Sequence, residues 1–161
     1  MATGTGKQAY AFAKKGFDVI GIDISESMLR IANKKNKYPN AKFQLADATD
    51  LPFADGRFDV VCISFALHDM PSTIQEKVLM EMARVTRAGG RIVIVDYGLP
   101  RNKIGKFFVY HLIKFYEREY YVKFIRSDLR ALIKNAGIEI IAEASALLGV
   151  ARIIKGGKAE D

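Results

Sequence analysis

The chain has one cysteine, two histidines and no apolar run long enough to cross a bilayer. Each shortage excludes something. Cys62 lies inside the apolar run Val60-Val61-Cys62-Ile63, so no disulfide can close within the chain, and a reducing compartment is the expectation. A spanning helix needs roughly 18 or more consecutive apolar residues, and the first residues carry no signal-peptide pattern. The expectation is a soluble, cytoplasmic chain. Repeats and low-complexity tracts are absent as well. Two phosphate-binding loops are also excluded. A P-loop needs a glycine five residues before Gly6-Lys7 and Ser or Thr after them, where this chain has Met1 and Gln8. A dinucleotide fingerprint wants a third glycine three residues beyond Gly6, where Ala9 stands. A ligand at this glycine turn is therefore expected to be nucleoside-like, without a pyrophosphate.

What is present fits one domain over residues 1–161, with half of the residues hydrophobic. The net charge of +7 is uneven. Residues 1–100 carry 13 Lys/Arg against 11 Asp/Glu, whereas residues 101–161 carry 12 against 7. Three strand-like segments end on glycines or an acid: Ala2-Thr3-Gly4-Thr5-Gly6, the run stopping at Asp23, and Phe43-Gln44-Leu45-Ala46-Asp47. A glycine turn and two carboxylates at the carboxyl edge of a parallel sheet make a nucleoside pocket, because ligands of open α/β sheets sit in that crevice.

Helix and strand signals alternate along the chain. A helix is predicted over residues 6–15, stopping at Gly16, and a buried strand over 19–23. Ser25 caps a helix over 26–35, which Pro39-Asn40 breaks. Strands follow at 42–46 and 58–64, the second a continuous apolar run of the kind buried on both faces. Pro71 and Ser72 open a helix, with Ser72 and Gln75 in capping-box register. Its apolar positions Ile74, Val78, Met82 and Val85 recur with a period near 3.6, and Gly89-Gly90 ends it. A strand over 91–97, a polar hinge and a long helix over 104–121 come next. Ser127 caps a short helix ending at Asn135-Ala136-Gly137. Strands over 138–144 and 147–154 pair as an antiparallel hairpin, and the tail after Lys155 frays. The fold class expected is α/β: a mostly parallel sheet with helices on both faces and a C-terminal antiparallel hairpin.

Several segments together resemble a known family. These are Ala2-Thr3-Gly4-Thr5-Gly6, Gly21-Ile22-Asp23-Ile24-Ser25-Glu26-Ser27-Met28-Leu29 and Ala46-Asp47-Ala48-Thr49-Asp50-Leu51-Pro52-Phe53. Phe58-Asp59-Val60-Val61, Ser64-Phe65-Ala66-Leu67-His68 and Arg84-Val85 before Gly89-Gly90-Arg91 continue the match. The chain resembles the class I S-adenosylmethionine-dependent methyltransferases, with a Rossmann-like sheet. Within them it is most similar to the ubiquinone/menaquinone biosynthesis C-methyltransferases. Residues 1–97 carry most of the resemblance.

The resemblance implies that S-adenosyl-L-methionine is the cofactor and assigns its contacts. Gly4 and Gly6 let the backbone approach the methionine part, with Thr5 between them as a polar contact. Asp23 accepts both ribose hydroxyls, and Ile24 follows it at the site. Met28 lies under the adenine, Asp47 and the Ala48 amide read its edge, and Ser64 lines the pocket near the sulfonium. Plainer roles stand beside these: Asp23 as a cap of the next helix, Asp47 as a turn residue, Met28 as core.

Methyl transfer asks little of side chains, because the sulfonium is already an activated leaving group. Holding the acceptor in line and excluding water supplies about 7–11 kcal/mol. A base matters only where the acceptor must lose a proton, as a phenol or an activated ring carbon does. His68, just past a strand's carboxyl end, is the candidate. The competing reading has His68 only shaping its loop or bonding a backbone group. His111 reads as structural, and Asp69 and Asp96 are polar groups at the pocket edge without an assigned role. No metal is called for.

The acceptor is read from residues 99–134, the segment that covers the acceptor site in this fold. Within residues 101–134 stand eight aromatics and nine Lys/Arg against three acids. This suits a lipophilic acceptor of quinone or lipid type, with basic residues at an anionic membrane surface. Stacking on nucleic acid is the rival reading. It is disfavoured because Ser64-Phe65-Ala66-Leu67 lacks the Asn/Asp-Pro-Pro-aromatic sequence of base-amino methyltransferases. One departure stands out. The family places an apolar strand ending on an acid before the glycine loop, and that acid would fall one residue before Met1. The expectation is a shortened chain, or a gap filled by an oligomeric partner or by residues 1–3. Two alternatives to the enzyme follow: a methyltransferase-like non-catalytic subunit completed by a partner chain, and an RNA-directed methyltransferase.

Overall fold

Gly6 starts the first helix because it holds a backbone φ of 82°, a left-handed value that glycine adopts without penalty. Its N–H closes the preceding turn on the Thr3 carbonyl at 3.0 Å. The computed structural model describes residues 1–98, 124 and 128–159, in two compact units, Met1–Pro52 and Phe53–Asp161.

In the first unit, helix α1 (Lys7–Ala13) leads to strand β1 (Val19–Asp23), helix α2 (Glu26–Lys35) and strand β2 (Ala41–Leu45). β1 and β2 pair in parallel, Val19 opposite Ala41 and Asp23 opposite Leu45, so both strands end at the same edge. Ser25 caps α2 as expected, its hydroxyl accepting the Met28 N–H. Glycine at position 21 makes room for neighbours: a Cβ there would lie 2.8 Å from the Phe43 ring and from Thr3 Oγ1. Tyr10 meets the Phe43 ring edge-on at 5.7 Å and donates its hydroxyl to the Ala32 carbonyl of α2. Residues 1–3 form no strand, and they tie to β1 through the Thr3 N–H on the Ile22 carbonyl at 2.8 Å. β1 is less buried than its apolar run implies, since Ile20 is half-exposed.

The second unit holds strand β3 (Phe58–Ser64), helix α3 (Ser72–Val85), strand β4 (Thr86–Tyr97), helix α4 (Leu129–Asn135) and strands β5 (Ile138–Ala146) and β6 (Ala151–Lys158). Its sheet runs in the order β3-β4-β6-β5. β3 and β4 are parallel, and β6 is antiparallel to both neighbours. The α/β class and the terminal hairpin are as expected, with β6 the one reversed strand. The single expected sheet is instead two hydrogen-bonded sheets. Val78, Leu79, Met82, Ile92, Ile133 and Ile154 are each at most 1 % exposed and form this unit's core. Each such side chain contributes about 1.5–3 kcal/mol on burial. Arg84 secures the turn before β3, donating to the Phe53 carbonyl and to Asp55 while gripping Glu81.

Several sequence expectations fail for tertiary reasons. α3 ends at Val85, not at Gly89-Gly90, because buried Thr86 pairs with Phe58 and its hydroxyl bonds the Met82 carbonyl. Ser72 and Gln75 form no capping box: Pro71 is the N-cap, and the Gln75 amide turns to the Leu67 and Met70 carbonyls. β3 is not buried on both faces, since Val60 is 49 % exposed. Asp128 caps α4, its carboxylate accepting the Ala131 N–H. The strand continues past Lys155 to Lys158, with Gly156 and Gly157 buried. The long helix expected over 104–121 lies outside the described residues, as do His111 and all but Phe124 of the segment's eight aromatics.

Candidate functional site

In the first unit the expected ligand residues gather at the carboxyl edge of the β1–β2 pair. Asp23 ends β1. Its Oδ2 accepts the Gly4 N–H at 2.7 Å and its Oδ1 accepts the Ser25 N–H at 2.9 Å. One carboxylate thus joins the glycine turn to the cap of α2, so the helix-start role and the position at the strand end coexist. Gly4 holds φ 53°, and a Cβ there would meet nothing within 4 Å. Gly6 is buried against Phe43 and Tyr10, with Thr5 half-buried between the two glycines.

Asp47 stands two residues past Leu45, the register partner of Asp23. Its Oδ1 accepts the backbone N–H and the hydroxyl of Thr49, both at 2.8 Å, so Asp47 shapes a turn and leaves Ala48 half-buried inside it. Ile24 is 74 % and Met28 42 % exposed. Met28 is not core, and both present apolar surface after β1.

Ser64 and His68 belong to the second unit. Ser64 ends β3 opposite Val95. Phe65, next in the chain, takes φ 50°, a strained value for a bulky side chain, and turns the backbone toward a 3₁₀ turn at Leu67–Asp69. His68 sits on that turn and is buried at 5 % exposure. Its Nδ1 lies 2.8 Å from Asp96 Oδ1, while Asp96 Oδ2 accepts the Leu67 and His68 N–H groups. The Asp69 carboxylate stands 3.6 Å from Nε2, and the Tyr97 ring packs edge-on at 4.7 Å. Asp96 is thus buried at 2 % exposure and is not the pocket-edge group expected. The sequence reading missed its link to His68, although an acid follows an apolar run there as it does at Asp23. No cluster able to hold a metal ion occurs among the described residues, and no described helix is long and apolar enough to cross a membrane.

Comparison with known proteins bears on these residues. A family model described as a methyltransferase domain matches residues 1–90. The chain is similar to a demethylmenaquinone methyltransferase of Beutenbergia cavernae, 43% identical over 100 residues, which is 62% of this chain and 40% of that protein. A demethylmenaquinone methyltransferase of Tropheryma whipplei is 37% identical over 129 residues, 80% of this chain and 52% of the relative. The chain thus spans about half the length, or less, of these curated relatives. Among solved structures, a SAM-dependent methyltransferase from Methanosarcina mazei superposes with a TM-score of 0.74 at 21% identity, over 99% of this chain and 91% of that one. At that identity the likeness is one of fold.

Proposed function

Since this chain belongs to the methyltransferase-domain family, which covers its residues 1–90, we propose that it binds S-adenosylmethionine and methylates a hydrophobic, quinone-type small molecule. The observation that carries the reading is the Asp23 carboxylate, fixed between Gly4 and Ser25 at the end of β1.

The residues fit the cofactor. Each Asp23 oxygen accepts one backbone N–H, and a carboxylate has about four acceptor sites, so both oxygens keep capacity for a vicinal diol such as the ribose hydroxyls. The open side of Gly4 leaves backbone accessible to the methionine part, with Thr5 and Gly6 completing the turn. Ile24 and Met28 offer apolar surface to adenine, and the turn of Asp47 and Ala48 stands past the adjacent strand end. When bound, the cofactor supplies a methyl group on a sulfonium that departs as a neutral thioether. Ser64 lines the acceptor side in this reading, and His68 takes the proton that a phenol or activated ring carbon must lose.

The acceptor class is supported by the names of the relatives, demethylmenaquinone methyltransferases at 37–43% identity. The excess of 12 Lys/Arg over 7 acids in residues 101–161 supports peripheral contact with the anionic membrane in which such acceptors dissolve. The test has two stages. S-adenosylmethionine at about 100 times its Kd should stabilise the chain by about 2.7 kcal/mol in thermal denaturation. Labelled methyl should then pass to reduced demethylmenaquinone carrying a short prenyl chain. Absence of both effects overturns the proposal, and a thermal shift without transfer removes the quinone-type acceptor while keeping the cofactor.

A further inference from the structure

We propose that Asp96 is the positioning residue of His68, fixing its ring so that Nε2 receives the proton lost by the methyl acceptor. The inference rests on the reading of His68 given above.

The turn carrying His68 is held from two sides by side chains almost out of contact with water. From β4, Asp96 takes the Leu67 and His68 backbone N–H groups on one oxygen, at 3.0 and 3.3 Å, and faces the imidazole Nδ1 with the other at 2.8 Å. From α3, the Gln75 amide donates to the Leu67 carbonyl at 3.0 Å and the Met70 carbonyl at 2.9 Å. Gln75 is 3 % exposed and Asp96 2 %. A buried carboxylate costs free energy unless its oxygens are bonded, and here the Leu67, His68 and Tyr97 backbone N–H groups and the imidazole Nδ1 meet it. A turn needed only to reverse the chain requires no such arrangement.

The chemistry follows from what a carboxylate can do. It only accepts, so the neutral imidazole carries its proton on Nδ1 and its lone pair on Nε2. During transfer the acceptor's electron pair forms the new bond to the methyl carbon, and the pair of the broken S–C bond stays on sulfur. The acceptor's proton goes to Nε2, and the imidazolium formed is held by Asp96. Among the described residues, the charged and titratable groups facing the ring include Asp96 and Tyr97 from β4 and Asp69 from its own turn. Phe124, a further aromatic neighbour, carries no charge.

The variants Asp96→Asn and Asp96→Glu together separate positioning from scaffolding. In Asp96→Asn the side-chain oxygen still accepts the Leu67 and His68 N–H groups, while its NH2 donates to Nδ1, moves the ring proton to Nε2 and no longer accepts the Tyr97 N–H. Imidazole ¹⁵N NMR on the ligand-free protein should show the Nδ1–H tautomer in the native chain and the Nε2–H tautomer in the variant. With labelled S-adenosylmethionine and reduced demethylmenaquinone, kcat should fall about 10²–10⁴-fold with KM for both substrates unchanged. Asp96→Glu should recover part of it. An unchanged tautomer in Asp96→Asn, or an equal loss in the Glu variant and in KM, overturns the inference. Undiminished transfer by His68→Gln removes instead the reading of His68 on which it rests.

Discussion

Gly4 and Asp23, 19 residues apart, are joined by a 2.7 Å bond from a backbone N–H to a carboxylate oxygen. The bond sets the path of the glycine turn against the end of β1, so the turn and the acid that ends the strand are one unit. Bonds of this kind to an ionised group contribute about 1.5–3 kcal/mol.

Replacing Asp23 by Asn should therefore weaken both fold and ligand. The amide keeps one acceptor oxygen and loses the charge, leaving Gly4 or Ser25 without its partner. Urea denaturation should show a loss of about 1–3 kcal/mol. Calorimetric titration should show S-adenosylmethionine binding weakened about 10–100-fold, the equivalent of one or two charge-assisted hydrogen bonds. Unaltered binding would remove Asp23 from the cofactor site.

The two glycines of the turn should respond differently to alanine. Both hold left-handed φ, 53° at Gly4 and 82° at Gly6, which costs an L-residue about 1–2 kcal/mol. At Gly4 a Cβ meets open space, whereas at Gly6 it lies 2.8 Å from Phe43 and Tyr10. Gly6→Ala should thus be the more destabilising by about 1–3 kcal/mol, the usual cost of overpacking. Equal urea midpoints for the two variants would contradict the packing described here.

Cys62 gives a pH dependence. Burial pushes its thiol above the usual value of 9.0, since a thiolate loses hydration in an apolar setting. With the folded pKa above the unfolded one, this group's contribution to stability is intact below pH 9 and falls as pH rises through the folded value. Stability measured from pH 8 to 10.5 should decline less steeply in Cys62→Ala than in the native chain. Iodoacetamide should modify Cys62 faster in urea than in buffer.

Local chemistry in the sequence was readable where one residue decides. Ser25 caps α2 because its hydroxyl reaches an N–H three residues on, and Asp23 ends its strand as an apolar run stopped by an acid implies. The misses occur where a distant partner decides. Gln75 stands in capping-box register, yet Leu67 and Met70 claim its amide. Thr86 reads as helix until its pairing with Phe58 makes it strand. Asp96 carried the same signal as Asp23, but the imidazole it holds is 28 residues away, a distance that no periodicity spans. Val60 lies in an unbroken apolar run, and only the packing around β3 leaves it half-exposed.

The end of β6 offers the sharpest contrast between sequence and structure. Lys155-Gly156-Gly157-Lys158 reads as a polar, glycine-rich tail, yet Gly156 pairs with Ile92 on one side and Ile140 on the other. A Cβ on Gly156 would lie 2.6 Å from Ile138 Cγ2 and 2.9 Å from the Glu139 carbonyl oxygen. The backbone cannot withdraw without breaking one of the two ladders that hold β6 between β4 and β5. Gly156→Val should cost about 1–3 kcal/mol, and Lys158→Val, exposed at the end of the same strand, within about 0.5 kcal/mol. Thermal denaturation of the two variants decides: a frayed tail would leave both unchanged, whereas an ordered strand lowers the midpoint only for Gly156→Val.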